Sequence, residues 1–289
     1  MESLACLNGA IMPVDEAKVP VWDRGFLFGD AVYEVIRLYS GRCWLEEEHF
    51  ARLRRSLQEM DFPPVDVAAL TGRMHRTIAA SGIGDGTAYI HLTRGVAPRH
   101  HAYPKPPVPP TELIVIRPYD DGPTAAMRER GVGIISQPDL RWKRCDVKST
   151  NLLANVVANE AAHRAGCYEA ALVDGDGYVT EATHSSLLWV HDGRIEGTPR
   201  GPGILPGITR QILQRLADLV GVAIVERRVT LEELGAVDEA LLLGTTIEVL
   251  PVVTLDGRPI NGQKPGPITR QLQQAYRAAV ERWLATPSG

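Results

Sequence analysis

The chain has 289 residues, 44% of them hydrophobic and 23% charged, with a formal net charge of −4. Those values describe a globular chain with room for one large or two modest domains; they exclude a small stapled fold and give no reason to expect nucleic acid or an anionic membrane as partner. Four scattered cysteines without a Cys-x-x-Cys pair, an N-terminus without a basic or long apolar leader, and no run approaching ~20 apolar residues together predict a soluble cytoplasmic protein with free thiols.

In chain order, Leu4-Ala-Cys-Leu-Asn-Gly-Ala-Ile-Met-Pro13 reads as a hairpin turning at Asn8-Gly9. Trp22-Asp-Arg-Gly-Phe-Leu-Phe-Gly-Asp30 carries glycines at 25 and 29 that suggest a turn with close backbone packing. The β-forming run Ala31-Val-Tyr-Glu-Val-Ile-Arg-Leu-Tyr39 ends at Ser40-Gly41, and Cys43-Trp44-Leu45 completes a second hairpin. Period two puts Tyr33, Val35 and Arg37 on one face of that strand and Glu34, Ile36 and Leu38 on the other. A tyrosine and an arginine on one face suit an anion; a half-exposed strand with a snorkelling arginine explains the same pattern. A helix over 46–60 is acidic at its start and basic later, as the macrodipole favours, and carries Arg52, Arg54 and Arg55. A second helix spans 66–81 and a strand 87–94. Six prolines between 95 and 110 preclude regular structure but stiffen a loop that contains Pro98-Arg-His-His101. With no carboxylate or cysteine nearby, the two histidines do not make a metal set.

A strand over 112–117 leads to an interdomain linker at 118–123, which divides the chain into a small N-terminal domain, 1–120, and a larger C-terminal domain, 121–289. Strands and helices then alternate. Strands are predicted at 131–136, 169–173, 178–180, 186–190, 193–196, 222–225 and 239–243, and helices at 152–165, 208–220, 231–234 and 268–284. The class is α/β, and no internal repeat is visible.

Lys148 stands where an extended segment becomes the 152–165 helix, with Ser149, Thr150 and Asn151 each available as its cap. Arg141, Lys143 and Arg144 lie just upstream. A lysine near other cations and partly desolvated has a lowered pKa, which favours the nucleophilic neutral amine; a solvated surface lysine is the plainer alternative. Gly203-Ile-Leu-Pro-Gly-Ile-Thr-Arg210 opens a helix whose first N–H groups, at Gly207, Ile208 and Thr209, favour an anion. Gly244-Thr-Thr246 offers hydroxyls, and Glu181 falls at a strand end. In isolation each of these also reads as an ordinary cap, turn or surface carboxylate.

The stretch Arg144-Cys-Asp-Val-Lys-Ser-Thr-Asn-Leu-Leu-Ala-Asn155, followed by Asn159-Glu-Ala-Ala-His-Arg-Ala-Gly-Cys-Tyr-Glu-Ala170, resembles the lysine region of the fold-type IV pyridoxal-phosphate transaminases, and among them the D-amino acid transaminases. The resemblance runs from about residue 22 to about residue 277, with separated motifs in the expected order. It implies a two-domain α/β (α+β) fold whose C-terminal domain is β-barrel-like with flanking helices. It implies pyridoxal 5′-phosphate as cofactor, Lys148 as the residue that forms the internal aldimine and serves as general base, and Glu181 as the partner of the pyridine nitrogen. Arg52, Leu205, Gly207, Ile208, Thr209 and Thr245 are implied as further cofactor contacts, mostly to phosphate. Tyr33, Arg99 and His101 are implied as ligands of the substrate carboxylate, with Val35, Arg37 and Thr246 beside them. The substrates implied are D-amino acids such as D-alanine or D-glutamate, and 2-oxo acids such as 2-oxoglutarate or pyruvate. In this group the arginine–histidine loop reaches the neighbouring subunit's site, which implies a homodimer.

One segment departs from the pattern. Relatives run Glu-Gly-Ser-Ser-Ser-Asn after the acid, whereas this chain has Glu181-Ala-Thr-His-Ser-Ser186, which puts His184 and Ser186 in place of smaller or amide side chains. The alternatives that keep the cofactor are a branched-chain L-amino acid transaminase, an (R)-amine transaminase and an aminodeoxychorismate lyase. A non-catalytic binding protein of the same fold is the alternative from another class.

Overall fold

In the computed structural model, which describes residues 2–286, Asn8 and Gly9 take positive φ angles of 49° and 91° and turn β1 (Leu4–Leu7) into β2 (Ala10–Pro13). The chain forms two compact units, Met1–Asp120 with Val147–Asn151, and Asp121–Asp146 with Leu152–Gly289.

In the first unit, residues 22–30 form more than a turn. Asp23 accepts the Gly25 N–H at 2.8 Å and caps one turn of helix, α1 (Arg24–Phe28), which stops at Gly29 in the left-handed region. A Cβ on Gly25 would collide with the Thr93 methyl, which is the close packing expected of that glycine. There follow β3 (Ala31–Tyr39), β4 (Arg42–Cys43), α2 (Glu46–Glu59), α3 (Val67–Ser81), β5 (Gly86–Thr93) and β6 (Thr111–Pro118). The sheet is antiparallel, ordered β2-β1-β6-β5-β3-β4. Helix α2 packs on β3, and α3 packs on β1 and β6. Phe50, Leu53, Leu57, Leu70, Met74 and Ile78 are the buried stripes of the two helices, each contributing about 1.5–3 kcal/mol by leaving water.

The linker at 118–123 would leave Lys148 and its neighbours with the C-terminal half, but 147–151 packs with the first unit. The reason is an open strand edge: the Tyr33 N–H donates to the Lys148 carbonyl at 3.0 Å, the Thr150 N–H donates to the Ala31 carbonyl at 3.2 Å, and Ser149 bridges to Val32. These bonds satisfy backbone groups at the start of β3 where β4 does not reach.

The second unit comprises α4 (Gly122–Arg130), β7 (Val132–Pro138), α5 (Leu153–Arg164), β8 (Glu169–Val173), β9 (Val179–Ala182), β10 (Ser186–His191), β11 (Arg194–Gly197), α6 (Ile208–Val220), β12 (Ile224–Glu226), α7 (Leu231–Leu234), β13 (Glu239–Gly244), β14 (Glu248–Leu255), β15 (Arg258–Pro259) and α8 (Pro267–Ala285). Its sheet runs β12-β11-β10-β13-β14-β7-β8-β9, with β15 on β14. The sheet curls into a half-barrel: the Ala182 N–H donates to the Ser185 carbonyl, and the Thr198 hydroxyl donates to the Val179 carbonyl, which ties β9 back toward β10 and β11. Ile134, Leu187, Trp189, Leu242 and Leu250 fill the curl, and the one polar atom of the Trp189 side chain, its indole N–H, donates to Glu196 at 2.8 Å.

Further elements differ from the sequence reading: the arm expected at Cys43–Leu45 is the shorter β4, Arg42–Cys43, because Leu45 is already the N-cap of α2, and β15 carries no sequence signal. Helix α4 begins inside the predicted linker, 118–123, and runs on through 124–130, where the sequence reading assigns no element; Pro123 lies in its first turn, where the missing N–H costs nothing. Strand β14 is hidden in the sequence because Pro251 interrupts it; β7 pairs with β14 only from Val252 onward, so the proline sits ahead of the stretch bonded on both sides. Among the described residues, no helix is long and apolar enough to cross a membrane.

Candidate active site

The backbone of Lys148 is held on two sides. Besides its bond to β3, its N–H donates to the Ser56 hydroxyl of α2 at 3.2 Å. Its side chain is half-buried, with Nζ 4.3 Å from the centroid of the Tyr33 ring, and the ring face attracts a cation there. Ser149, Thr150 and Asn151 do not cap α5 as expected: the N-cap is Leu152, without a side-chain bond. The Thr150 hydroxyl instead donates to the Gly29 carbonyl, and the Ser149 hydroxyl accepts from Asn151. The upstream arginines are compensated as well. Arg141 pairs with Asp139 and Glu181, and Arg144 pairs with Asp146, all within the second unit. Neither arginine is therefore a bare cation available to act on Lys148, because each carries its own carboxylate.

On the opposite face of β3, Glu34 binds Arg52 through two parallel bonds of 2.7 Å, and His49 Nδ1 lies 2.7 Å from Oε2, which also accepts from Arg52 Nη2. The triad is buried. Burial pushes the Glu34 carboxyl up, but the Arg52 charge and the hydrogen bonds from Arg52 and His49 outweigh it and leave the group at about 2. Burial lowers the His49 pKa and outweighs the opposing pull of Glu34. Glu34 is not among the sequence candidates. Its one signal is a charged residue within a β-forming run, on the strand face opposite Tyr33 and beside Ile36 and Leu38.

The sign of the pH dependence follows. The folded Glu34 pKa lies below its ordinary 4.5, so its stabilisation is complete above that value and is lost as pH falls toward about 2. The shift corresponds to about 3 kcal/mol. His49 acts in the same sense from about 6.5 downward, since only the unfolded chain takes up its proton freely. Urea unfolding should therefore show a stability gap between the parent and Glu34→Gln that is largest near pH 7 and narrows below pH 4.5. A gap constant down to pH 3 would contradict the assignment.

Arg37, expected beside Tyr33, is placed elsewhere. It lies at the other end of β3, its Nη1 donating to the Leu38 and Gly86 carbonyls and its guanidinium stacked 4.5 Å from both the Tyr39 and Tyr119 rings. It is buried and braces the fold. Val35 is half-buried between the two. Arg99 and His101 are exposed and share one neighbour, the Phe28 ring, at 5.3 and 5.4 Å. The Tyr33 ring packs 5.9 Å from Tyr89, whose hydroxyl meets His91 Nδ1 at 2.8 Å. Burial and the neighbouring Tyr33 raise the Tyr89 pKa to about 12.

The second unit gathers its candidates around the start of β10. Glu181 lies in β9, almost fully buried, one oxygen 2.6 Å from Arg141 Nη1 and the other accepting the Leu205 N–H at 3.0 Å. Burial raises its pKa, and Arg141 only partly reverses that. Gly207 is the N-cap of α6, and no side chain caps this helix, so the first N–H groups, including those of Ile208 and Thr209, have no partner from a capping side chain. A Cβ on Gly207 would lie 2.7 Å from the Ser186 hydroxyl, and one on Gly244 would lie 3.6 Å from the Ser185 hydroxyl. Thr245 and Thr246 form the turn that joins β13 to β14, next to Gly244. His184 turns away: it pairs with the buried Glu169 and stacks 5.8 Å from Tyr168. Its replacement of a small residue thus serves Glu169, whereas Ser186 stands against the α6 start.

A buried acid next to an uncapped helix N-terminus and two hydroxyl-bearing turns suits a planar heterocycle that carries a phosphate. A half-buried lysine amine, immobilised over a tyrosine ring, suits covalent capture of a carbonyl.

A family model, Amino-transferase class IV, matches residues 31–255. The chain is 39% identical over 276 residues to a D-alanine aminotransferase of Staphylococcus aureus, covering 95% of this chain and 97% of that protein. It is 37% identical over 277 residues to a D-alanine aminotransferase of Bacillus licheniformis, covering 94% and 95%. Among solved structures, the branched-chain amino acid aminotransferase of Escherichia coli is similar with a TM-score of 0.90 at 25% identity, covering 96% of this chain and 94% of that one. The T.th. branched-chain amino acid aminotransferase with pyridoxamine 5′-phosphate gives 0.87 at 27%, covering 97% and 94%.

Proposed function

The chain belongs to the class IV aminotransferases, and from that premise we propose that it transfers the amino group of D-amino acids to 2-oxo acids with pyridoxal 5′-phosphate. When bound, that cofactor supplies an aldehyde carbon and a protonated ring that draws electrons from the substrate Cα. Lys148 would hold the cofactor through its amine, and the same amine, when free, would carry the substrate Cα proton. Its backbone, bonded to β3 and Ser56, holds the amine in place while it exchanges partners. Glu181 would hold a proton at the ring nitrogen; a carboxylate whose pKa is raised by burial shares such a proton strongly. The N–H groups of Gly207, Ile208 and Thr209, with the Thr245 hydroxyl, would hold the phosphate, and Leu205 would be a further contact of the cofactor. Arg52, its guanidinium plane set by Glu34, would be a further ligand of the same anion through hydrogen bonding.

The observation that carries the D-amino acid reading is the presentation of Arg99 and His101 on one ring, Phe28. An arginine fork and an imidazole facing out from one stiff loop suit a carboxylate; in a homodimer this loop would reach the neighbouring subunit's site, with Tyr33, beneath the Lys148 amine, as the third ligand type. Thr246 is the second unit's candidate for the same substrate. Proteins that share 37–39% identity with this chain carry the name D-alanine aminotransferase. A homodimer accounts for the apolar side chains exposed on α5, where Leu153, Val156 and Val157 are 77%, 58% and 61% accessible. The structural likeness to branched-chain enzymes supports a second reading, L-leucine-type substrates at the same lysine.

A half-reaction separates these readings. Protein reconstituted with the cofactor is mixed with D-alanine, L-leucine or (R)-1-phenylethylamine while the absorbance of the lysine-linked cofactor is followed. D-alanine should bleach it fastest, and Arg99→Ala with His101→Ala should raise the half-maximal D-alanine concentration about 10- to 100-fold. Bleaching by L-leucine or the amine alone would discard the carboxylate role of this loop.

A further inference from the structure

Arg24 is 3% exposed and lies outside both the lysine segment and the Glu181–α6 cluster. Its Nε donates to Asp30 at 2.8 Å. Its Nη1 donates to the His100 carbonyl at 2.6 Å and the Ala102 carbonyl at 3.3 Å, and its Nη2 donates to the His101 carbonyl at 3.4 Å. Three consecutive carbonyls of the proline-rich loop therefore converge on one guanidinium. Turning them toward one point bends the backbone around Arg24 and sets the directions in which residues 99 and 101 leave it. The Phe28 ring lies 4.9 Å from the Arg24 guanidinium and also abuts Arg99 and His101. Asp30 is shared with Arg94, whose other nitrogens donate to the Met60 and Asp61 carbonyls and whose guanidinium lies 3.5 Å from the Tyr103 ring. The loop is thus clamped at 100–102 by one arginine and at 103 by a second, through a common carboxylate.

The geometry points to Arg24 as the positioning residue that presents Arg99 and His101 to the substrate carboxylate. This rests on the carboxylate role proposed for those two residues. Lysine is no substitute, because a single ammonium cannot hold Asp30 and three carbonyls at once.

The test uses the reconstituted holoenzyme and D-alanine, with apparent Kd and limiting rate taken from the half-reaction over a concentration series. Arg24→Ala should weaken D-alanine about 10- to 50-fold with the limiting rate within about threefold, and Arg24→Lys about fivefold. Arg24→Ala added to the Arg99→Ala, His101→Ala double variant should weaken it no more than about twofold further, because the group it positions is gone. Should Arg24→Ala fail to fold, Arg24→Lys carries the comparison alone and in the same double background. Parent affinity in Arg24→Lys, a limiting rate that falls as far as the affinity, or full additivity with the double variant would each overturn the proposal. An unchanged Kd in the double variant itself would remove the carboxylate role of the loop, and Arg24's role with it; that failure is recognised in a protein whose Arg24 is intact.

Discussion

Lys148→Ala is expected to abolish transamination, with a loss of at least about 10⁴-fold in turnover, because one residue supplies both the nucleophile and the proton carrier. The fold should survive the change. The bonds that hold 148 are made by its backbone, to Tyr33 and Ser56, while its amine rests over the Tyr33 ring. The melting temperature should stay within a few degrees of the parent. Cofactor should still bind through its phosphate and ring contacts, but the absorption band of the lysine-linked form should be absent, and a small added amine should restore part of the rate. Normal turnover in Lys148→Ala would remove this lysine from the chemistry altogether.

Glu181→Gln is expected to lower the limiting rate about 10²- to 10³-fold. An amide cannot hold a proton at the ring nitrogen, so the electron demand that stabilises the deprotonated Cα is lost. The side chain keeps its shape and an acceptor for the Leu205 N–H; Arg141 loses its bond to the second Glu181 oxygen but keeps Asp139, bound at 2.8 Å. Cofactor affinity should change far less than the rate, since the phosphate contacts are untouched. Stopped-flow bleaching with D-alanine reads the rate, and equilibrium dialysis reads the affinity. A parent-like rate would show that the acid at this strand end is no partner of the ring. Arg141 sharpens the point: by opposing the effect of burial, it favours the charged form of Glu181 without abolishing the affinity of that carboxylate for a proton.

Local chemistry was legible wherever it is encoded locally. Asn8-Gly9 specified its hairpin because both residues tolerate positive φ, and helix periodicity with a terminal glycine set Ile208–Val220. The class IV family was legible for a related reason: a run such as 144–155 has its neighbours built into the chain. Where the signal was mixed, reading failed. Helix α4 was hidden behind Gly122-Pro123, and β14 behind Pro251.

The amino-acid sequence by itself determined which side chains are available, including a lysine at a strand-to-helix passage, an acid at a strand end, glycines before α6 and an arginine with a histidine in a stiff loop. Only the tertiary structure decided the partner of each. Arg37 and Arg52 are both arginines near one strand, yet one is stacked between tyrosines to brace the fold and the other is locked to Glu34. Arg141 reads in the sequence as a cation acting on Lys148, and it is instead paired with Asp139 and Glu181. Arg24 carries no motif of its own, and it gathers three carbonyls from more than seventy residues away. The physical reason is common to all four. A charged group buried in a fold must find compensation, and which opposite charge or carbonyl lies within about 3 Å depends on strand register and loop path, which local sequence does not encode.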